Sequence, residues 1–296
     1  MSDHAFTTVD VFTTQPLAGN PLAVLPDAGG LDERVMQAIA REFGHSETTF
    51  VLPPRDAKAL WRLRCFTPTA EVFGAGHNAL GAWWVLATTG RVPLKPDAAA
   101  TVHQELGDRI LPVDLSYRQG RLERVAMTQG PPTFGATVGD LGALARALGI
   151  AEREFEPGQA PQSVSTGAQH LMVPVRGLSV LANMRVEPAG LLEVVRPLGC
   201  QGAYVFTRET REAGSSAHAR AFFPGIGIVE DPATGSAAGP LGALLVARGL
   251  MQPRALAVVE QGDEMGRPSR IEVHIDGDRV EVGGRCVTVA EGTLHI

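Results

Sequence analysis

Four residues are of the types and in the settings that proton chemistry needs: Glu47, His77, Asp231 and Ser236. Glu47 stands in Gly44-His45-Ser46-Glu47-Thr48-Thr49-Phe50, between a helix stop and a strand, where a side chain can reach into a cleft. A carboxyl in a closing apolar cleft has its pKa raised and can shuttle a proton, which contributes roughly 10²–10⁴ in rate. His77 and Ser236 lie in loops just ahead of two apolar, helix-like segments, and Asp231 lies five residues before Ser236. All three are apt for holding or relaying protons. Plainer roles compete with these: Asp231 before Pro232 can shape a turn, Ser236 or His77 can cap a helix, and Glu47 can be a solvated loop acid.

Other chemistries find little support. His103, His170, His218 and His274 are scattered in strand-like stretches, and no His/Cys/carboxylate cluster has ligand spacing, so no metal is expected. Ser236 lacks the strand–turn elbow of a hydrolase nucleophile. Gly74, Gly76 and Gly81 superficially suggest a dinucleotide loop, but the third glycine falls five residues after the second instead of three.

The elements that must position these residues come as an internal repeat. Arg64-Cys65-Phe66-Thr67-Pro68 recurs as Arg220-Ala221-Phe222-Phe223-Pro224, and Ala75-Gly76-His77-Asn78-Ala79-Leu80-Gly81 as Ala233-Thr234-Gly235-Ser236-Ala237-Ala238-Gly239, at offsets of 156 and 158. Each loop then enters an apolar segment that stops at a glycine, Gly90 or Gly249.

In the first half, strands are expected over 6–12, 20–25, 48–52 and 60–66, a helix over 32–43, a helix opening at about Gly76, and hairpin strands over 100–128. The second half repeats this with 169–175, a helix near 188–198, strands at 203–207 and 218–223, the second loop and helix, and closing strands over 256–295. The expected fold class is α+β: two similar domains, 1–128 and 129–296, each a curved, mostly antiparallel sheet around a central helix, with the last strand able to cross back to the first domain. Loops of small residues before buried helices leave backbone N–H groups open to a small anion such as a carboxylate. A pseudo-twofold packing of the halves would aim both helix ends into one cleft. Glu47 has no ionisable counterpart, because its repeat partner falls at Gly202 or Ala203.

The composition fits a folded, two-domain chain. It has 296 residues, 44% hydrophobic and 20% charged, with a net charge of −6. That mild acidic excess, without a Lys/Arg block, speaks against nucleic acid or an anionic membrane surface as partner. The longest apolar stretch, near 79–87, is well short of the roughly 20 residues of a bilayer span, and the start lacks a signal pattern, so a cytoplasmic location is expected. Cys65, Cys200 and Cys286 lie far apart and read as reduced, buried thiols.

Several motifs together resemble one family. Glu230-Asp231-Pro232-Ala233-Thr234-Gly235-Ser236-Ala237-Ala238-Gly239 occurs with Phe66-Thr67-Pro68, Gly76-His77, Ser46-Glu47-Thr48-Thr49-Phe50, Gly19-Asn20-Pro21 and Gln261-Gly262 … Gly266-Arg267-Pro268-Ser269. From about Val9 to the C-terminus the chain resembles the PhzF-like (phenazine biosynthesis-like) family. The resemblance implies a diaminopimelate-epimerase-like fold with the site between two similar domains, and a cofactor-independent isomerase, usually a homodimer. It implies Glu47 as the acid/base, helped by His77, Asp231 and Ser236. Gly76 and Gly235 fall where backbone N–H groups would meet a substrate carboxylate, with Asn78 and Thr234 beside them as further substrate contacts. The phenazine isomerase of the family converts trans-2,3-dihydro-3-hydroxyanthranilate to its ketone tautomer by a proton shift.

Two departures bear on substrate. Where the family commonly has Pro-Phe-Ala-Gly-His-Pro, this chain has Phe73-Gly74-Ala75-Gly76-His77-Asn78, which changes pocket shape and polarity. Racemases resembling this fold use two opposed cysteines, whereas here the matching positions are Ala75 and Pro232 or Ala233. The expected activity is a proton-shifting isomerase on a small carboxylated metabolite. The alternatives are an epimerase, racemase or lyase on an amino-acid-like substrate, or a catalytically silent binding protein.

Overall fold

The computed structural model describes residues 2–93 and 99–296. The chain divides into two compact units, Met1–Thr128 with Gly283–Ile296, and Gln129–Val282. The fold is mixed α+β with mostly antiparallel strand pairing.

The first unit holds β1 (Asp3–Val11), β2 (Asn20–Leu25), α1 (Glu33–Phe43), β3 (Glu47–Leu52), β4 (Trp61–Phe66), the short β5 (Glu71–Val72), α2 (His77–Thr88), β6 (Ala100–Leu106), β7 (Arg109–Arg118) and β8 (Arg121–Gln129). Strand β2 pairs parallel with β3 and antiparallel with β1, β3 pairs antiparallel with β4, and β4 pairs parallel with β6. Helix α1 forms where expected. Asp32 caps it by accepting from the Val35 amide at 2.9 Å, and Gly44 ends it at φ +65°, a conformation that favours glycine. Helix α2 is apolar nearly all round, so it packs against β1, β2 and β3 instead of lying on the surface. Gly81 permits that approach, since a Cβ there would stand 2.6 Å from Leu22 Cδ2 and 2.9 Å from Val11 Cγ2.

The second unit holds β9 (Thr133–Thr137), α3 (Leu141–Leu148), β10 (Gln162–Ser165), β11 (Gln169–Pro174), α4 (Leu178–Asn183), α5 (Pro188–Val195), β12 (Ala203–Thr207), β13 (Ala217–Phe223), β14 (Ile228–Asp231), α6 (Gly235–Ala247), β15 (Leu256–Gln261), β16 (Ser269–Asp276) and β17 (Arg279–Gly284). The chain then returns to the first unit as β18 (Cys286–His295), antiparallel to β1 and packed on α2. Within the second unit β11 runs parallel to β12, β12 antiparallel to β13, and β13 parallel to β15. Helix α6 is buried along most of its length and packs on β10, β11 and β16. A second core gathers Leu144, Leu148, Leu181, Leu191 and Val205 under α3, α4 and α5.

Two helices of this core, α3 and α4, go beyond the sequence expectation of one central helix with one companion. The signals for α3 are nevertheless local: Asp140 accepts from the Ala143 amide at 2.9 Å, and Gly149 closes the helix at φ +68°. Among the described residues no helix is long and apolar enough to cross a membrane.

Candidate active site

In the first unit, Glu47 is the first residue of β3 and His77 the first residue of α2. The fold brings them together. His77 Nδ1 lies 3.4 Å from Glu47 Oε2, with the carboxylate side chain 18% exposed and the imidazole 10%. Burial, with a smaller push from the His45 charge, lowers the His77 pKa to about 3, so the ring is neutral near pH 7 and the contact is not an ion pair. On its other edge, Nε2 lies 3.4 Å from Ser46 Oγ, and that hydroxyl donates at 3.2 Å to Oδ1 of the fully buried Asn20. The neutral ring carries one N–H, so it donates on one of these two edges and accepts on the other.

The loop ahead of α2 is held by one of its own residues. Asn78 Oδ1 accepts from the amides of Gly76 at 2.8 Å and Ala79 at 2.7 Å, and Asn78 Nδ2 donates to the Gly74 carbonyl at 2.9 Å. The expectation that the Gly76 amide is open to a ligand is therefore corrected, because Asn78 occupies it. Asn78 in turn has its amide directed into the loop. The amides of His77 and Asn78 find no acceptor among the described residues, and space is open at Gly76, where a Cβ would meet nothing within 4 Å. Gly76 is thus not a packing glycine, unlike Gly81.

In the second unit the corresponding loop joins β14 to α6. Asp231, 6% exposed, accepts from Thr234 Oγ1 at 2.5 Å. Thr234 is the N-cap position, so the plainer reading of Ser236 as a helix cap does not hold. Thr234 has its hydroxyl on Asp231 and its amide on Gln261 Oε1 at 3.0 Å, which makes it a holder of the loop. The amides of Gly235 and Ser236, and the half-buried Ser236 hydroxyl, have no partner among the described residues.

Gln261 organises this loop, although the sequence reading gave it no role beyond membership of a motif. Its Oε1 also accepts from the buried Tyr204 hydroxyl at 2.8 Å, and its Nε2 donates to the Asp231 carbonyl at 2.7 Å and to Thr234 Oγ1 at 3.1 Å. Ser269 Oγ lies 3.0 Å from the Pro232 carbonyl oxygen and 2.9 Å from that of Gln261. A polar amide so fully used inside an apolar core holds its partners in one arrangement.

Pro240 lies inside α6 and has no N–H, so the Ser236 carbonyl one turn back loses its helical partner. The ring of His170, on β11 and 4% exposed, sits against the Ser236 backbone. Burial lowers the His170 pKa to about 4, and the Ser236 contact works in the opposite sense, as an acceptor carbonyl would. Gln129 Nε2 supports the preceding carbonyl, of Gly235, at 3.0 Å. The first turn of α6 is thus supported by side chains where its own backbone cannot do it.

The three cysteines are buried and lie in neither loop. Burial raises the thiol pKa of each; at Cys65 the Glu47 charge adds to the effect. Among the described residues no group of three or more His, Cys, Asp or Glu could hold a metal ion.

The chain is thus an α+β protein whose two apolar helices each start at a loop with backbone amides that have no partner among the described residues. The chain belongs to the PhzC-PhzF family, phenazine biosynthesis-like proteins, whose profile matches residues 9–292. It is 37% identical over 310 residues to a protein of Mesorhizobium japonicum named an uncharacterized isomerase, covering 100% of each chain. It is 33% identical over 298 residues to the trans-2,3-dihydro-3-hydroxyanthranilate isomerase of Pseudomonas chlororaphis, covering 98% of this chain and 99% of that one. The crystal structure of a Bacillus anthracis phenazine biosynthesis protein of the PhzF family superimposes with a TM-score of 0.90 at 29% identity, over 100% of both chains.

Proposed function

We propose that this protein is an isomerase that shifts a proton within a small carboxylated metabolite by general acid–base catalysis, without a cofactor, and that Glu47 is the shuttle. The observation that carries the reading is the pairing of a half-buried carboxyl with a neutral imidazole whose Nδ1 faces it at 3.4 Å. In this reading Glu47 takes a proton from one carbon of the substrate and returns it to another, so no atom is gained or lost. His77 holds the carboxyl in position through the contact of its neutral ring. Asp231 and Ser236, at the corresponding loop of the second unit, are in this reading the assisting polar groups. The open amides at the starts of α2 and α6 suit a carboxylate, each contributing about 0.3–1 kcal/mol.

The first compound to test is the one named for the Pseudomonas chlororaphis relative, trans-2,3-dihydro-3-hydroxyanthranilate. Gly74 and Asn78 make close analogues the second set. In heavy water the wild-type protein is expected to place deuterium in the product, and Glu47→Gln to reduce that incorporation at least 10²-fold, in line with typical general acid–base contributions. Wild-type exchange in Glu47→Gln would remove Glu47 from its role. Inversion at a stereocentre or loss of water would reassign the reaction as epimerisation or elimination.

A further inference from the structure

The two units carry the same loop clamp, and one of them lacks its anion. In the second unit the buried Glu260 accepts the amides of Arg211 and Glu212, each at 2.8 Å, and bonds His218 Nδ1 at 2.8 Å. Glu264, four residues on, then places its carboxylate against His218 Nε2 at 3.1 Å and Arg211 Nη2 at 2.9 Å. In the first unit the buried Glu105 accepts the amide of Arg55 at 2.7 Å and that of Asp56 at 3.4 Å. Arg62 stands opposite Glu105 across parallel strands as His218 stands opposite Glu260. The following residues correspond as well: Gly107 and Gly262 both have positive φ, and Asp108 matches Asp263. At the next position the second unit has Glu264 and the first has Arg109.

The first unit therefore gathers Arg55, Arg62 and Arg109 around a cavity of about 610 Å³, walled on its apolar side by Leu63, Phe73 and Leu106. Arg109 Nη2 turns to the Phe73 carbonyl at 2.7 Å. The Arg62 guanidinium has no partner among the described residues, and its Nε is buried. The acids nearby do not supply one. Glu33 and Glu71 both engage Arg64, Glu105 engages Arg55, and Asp108 is fully exposed at 3.6 Å from Arg55.

We propose that this cavity binds an external oxyanion, a carboxylate or phosphate group of a small molecule, which takes the place that the Glu264 carboxylate has in the second unit. A guanidinium fork matches either anion in a two-point contact. This inference is independent of the isomerase reading, since it rests on residues apart from Glu47 and the helix starts.

Calorimetric titration of the full chain with inorganic phosphate and with citrate, at low ionic strength to limit screening, tests it. The expected result is one saturable site per chain for at least one of the two anions, weakened tenfold or more by Arg62→Gln. The anion that binds names the source, phosphate or carboxylate. The Arg62 Nε–H resonance should shift during the titration. Asp108→Asn should bind at least as tightly as wild type. Should Arg62→Gln fail to fold, judged by its melting curve, Arg109→Gln gives the same reading. Absence of saturable binding for both anions, or unchanged binding in a folded Arg62→Gln or Arg109→Gln protein, overturns the proposal.

Discussion

The two units begin from one plan and differ in how much freedom each leaves its site loop. In both, an arginine packs over an aromatic ring two residues on, Arg64 over Phe66 and Arg220 over Phe222, each at 5.1 Å. Each arginine is also held by a glutamate through two nitrogens, Arg64 by Glu71 and Arg220 by Glu230. Matching these pairs fixes the strand register. Thr48 lies opposite Phe66 and Ala203 opposite Phe222, so the counterpart of Glu47 is Gly202. A Cβ at Gly202 would run into the Phe222 carbonyl oxygen and stand 2.6 Å from Phe223 Cα. The second unit therefore has no room for any side chain where the first carries its acid. The loops differ in the opposite sense: the first is tied by its own Asn78, the second by Gln261 from another strand. One unit sets Glu47 and His77 beside a locally held loop; the other has a loop fixed by its core.

The strongest test of this contrast is to add the missing side chain. Gly202→Ala is expected to lower stability by more than about 4 kcal/mol, since the clash is with backbone and cannot be relieved by a rotamer change. Thr48→Ala, at the neighbouring strand position in the first unit, removes a buried hydroxyl without a bonding partner and should cost less than about 1 kcal/mol. Urea unfolding of both variants checks the pair. A Gly202→Ala protein as stable as Thr48→Ala would mean that the second unit tolerates a side chain there and that its lack of an acid is not imposed by packing.

Next in size is the difference in loop support. Gln261→Ala leaves the Tyr204 hydroxyl, the Thr234 amide and the Asp231 carbonyl without their shared partner inside the core, an expected loss of about 3–5 kcal/mol. Asn78→Ala frees the Gly76 amide and the Gly74 carbonyl in a half-exposed loop that water reaches, an expected loss of about 1–2 kcal/mol. Hydrogen exchange gives a sharper reading. Asn78→Ala should raise exchange only around residues 74–80, whereas Gln261→Ala should raise it at 231–239 and also along β12 and β15. Equal spread in both variants would remove the distinction.

What was legible in the sequence follows from how local each signal is. Helix α1 could be read because its cap, its apolar stripe and its closing glycine lie within a dozen residues. The repeat could be read because the arginine–aromatic pair and the small-residue loop are short and contiguous. Glu47 and His77 were found as separate candidates, thirty residues apart; that they meet follows only from β3 and the start of α2 lying side by side. The roles of Gln261, Tyr204 and Ser269 depend on pairings across 8 to 57 residues, which no local pattern encodes. The occupation of the Gly76 amide is a converse case: Asn78 is only two residues away, but a side chain folding back onto its own loop leaves no periodic trace.

The remaining expected effect concerns pH, and it separates the units by their histidines. His77 in the first unit and His170 in the second are buried neutral, with folded pKa values of about 3 and about 4, below the ordinary value of 6.5. The unfolded chain therefore binds more protons than the folded one between those values, and each unit loses stability as pH falls below about 6.5, by up to about 1.4 kcal/mol per pH unit for each histidine. Only the second unit has a histidine shifted the other way. Burial alone would lower the His218 pKa, but the bonds to Glu264 and Glu260 and their charges outweigh it and raise it. That stabilisation is fully present below the unfolded pKa and is lost as pH rises through the folded one. The counterpart in the first unit is Arg62, so that unit has no histidine at this position. Protection from hydrogen exchange, corrected for intrinsic rate and followed between pH 5 and 9, should level off above about pH 6.5 in the first unit. In the second it should pass through a maximum and decline as pH rises through the raised His218 pKa. His218→Gln should flatten that decline and leave the acid side unchanged in both units; a parallel decline in the first unit would show that the alkaline loss does not come from His218.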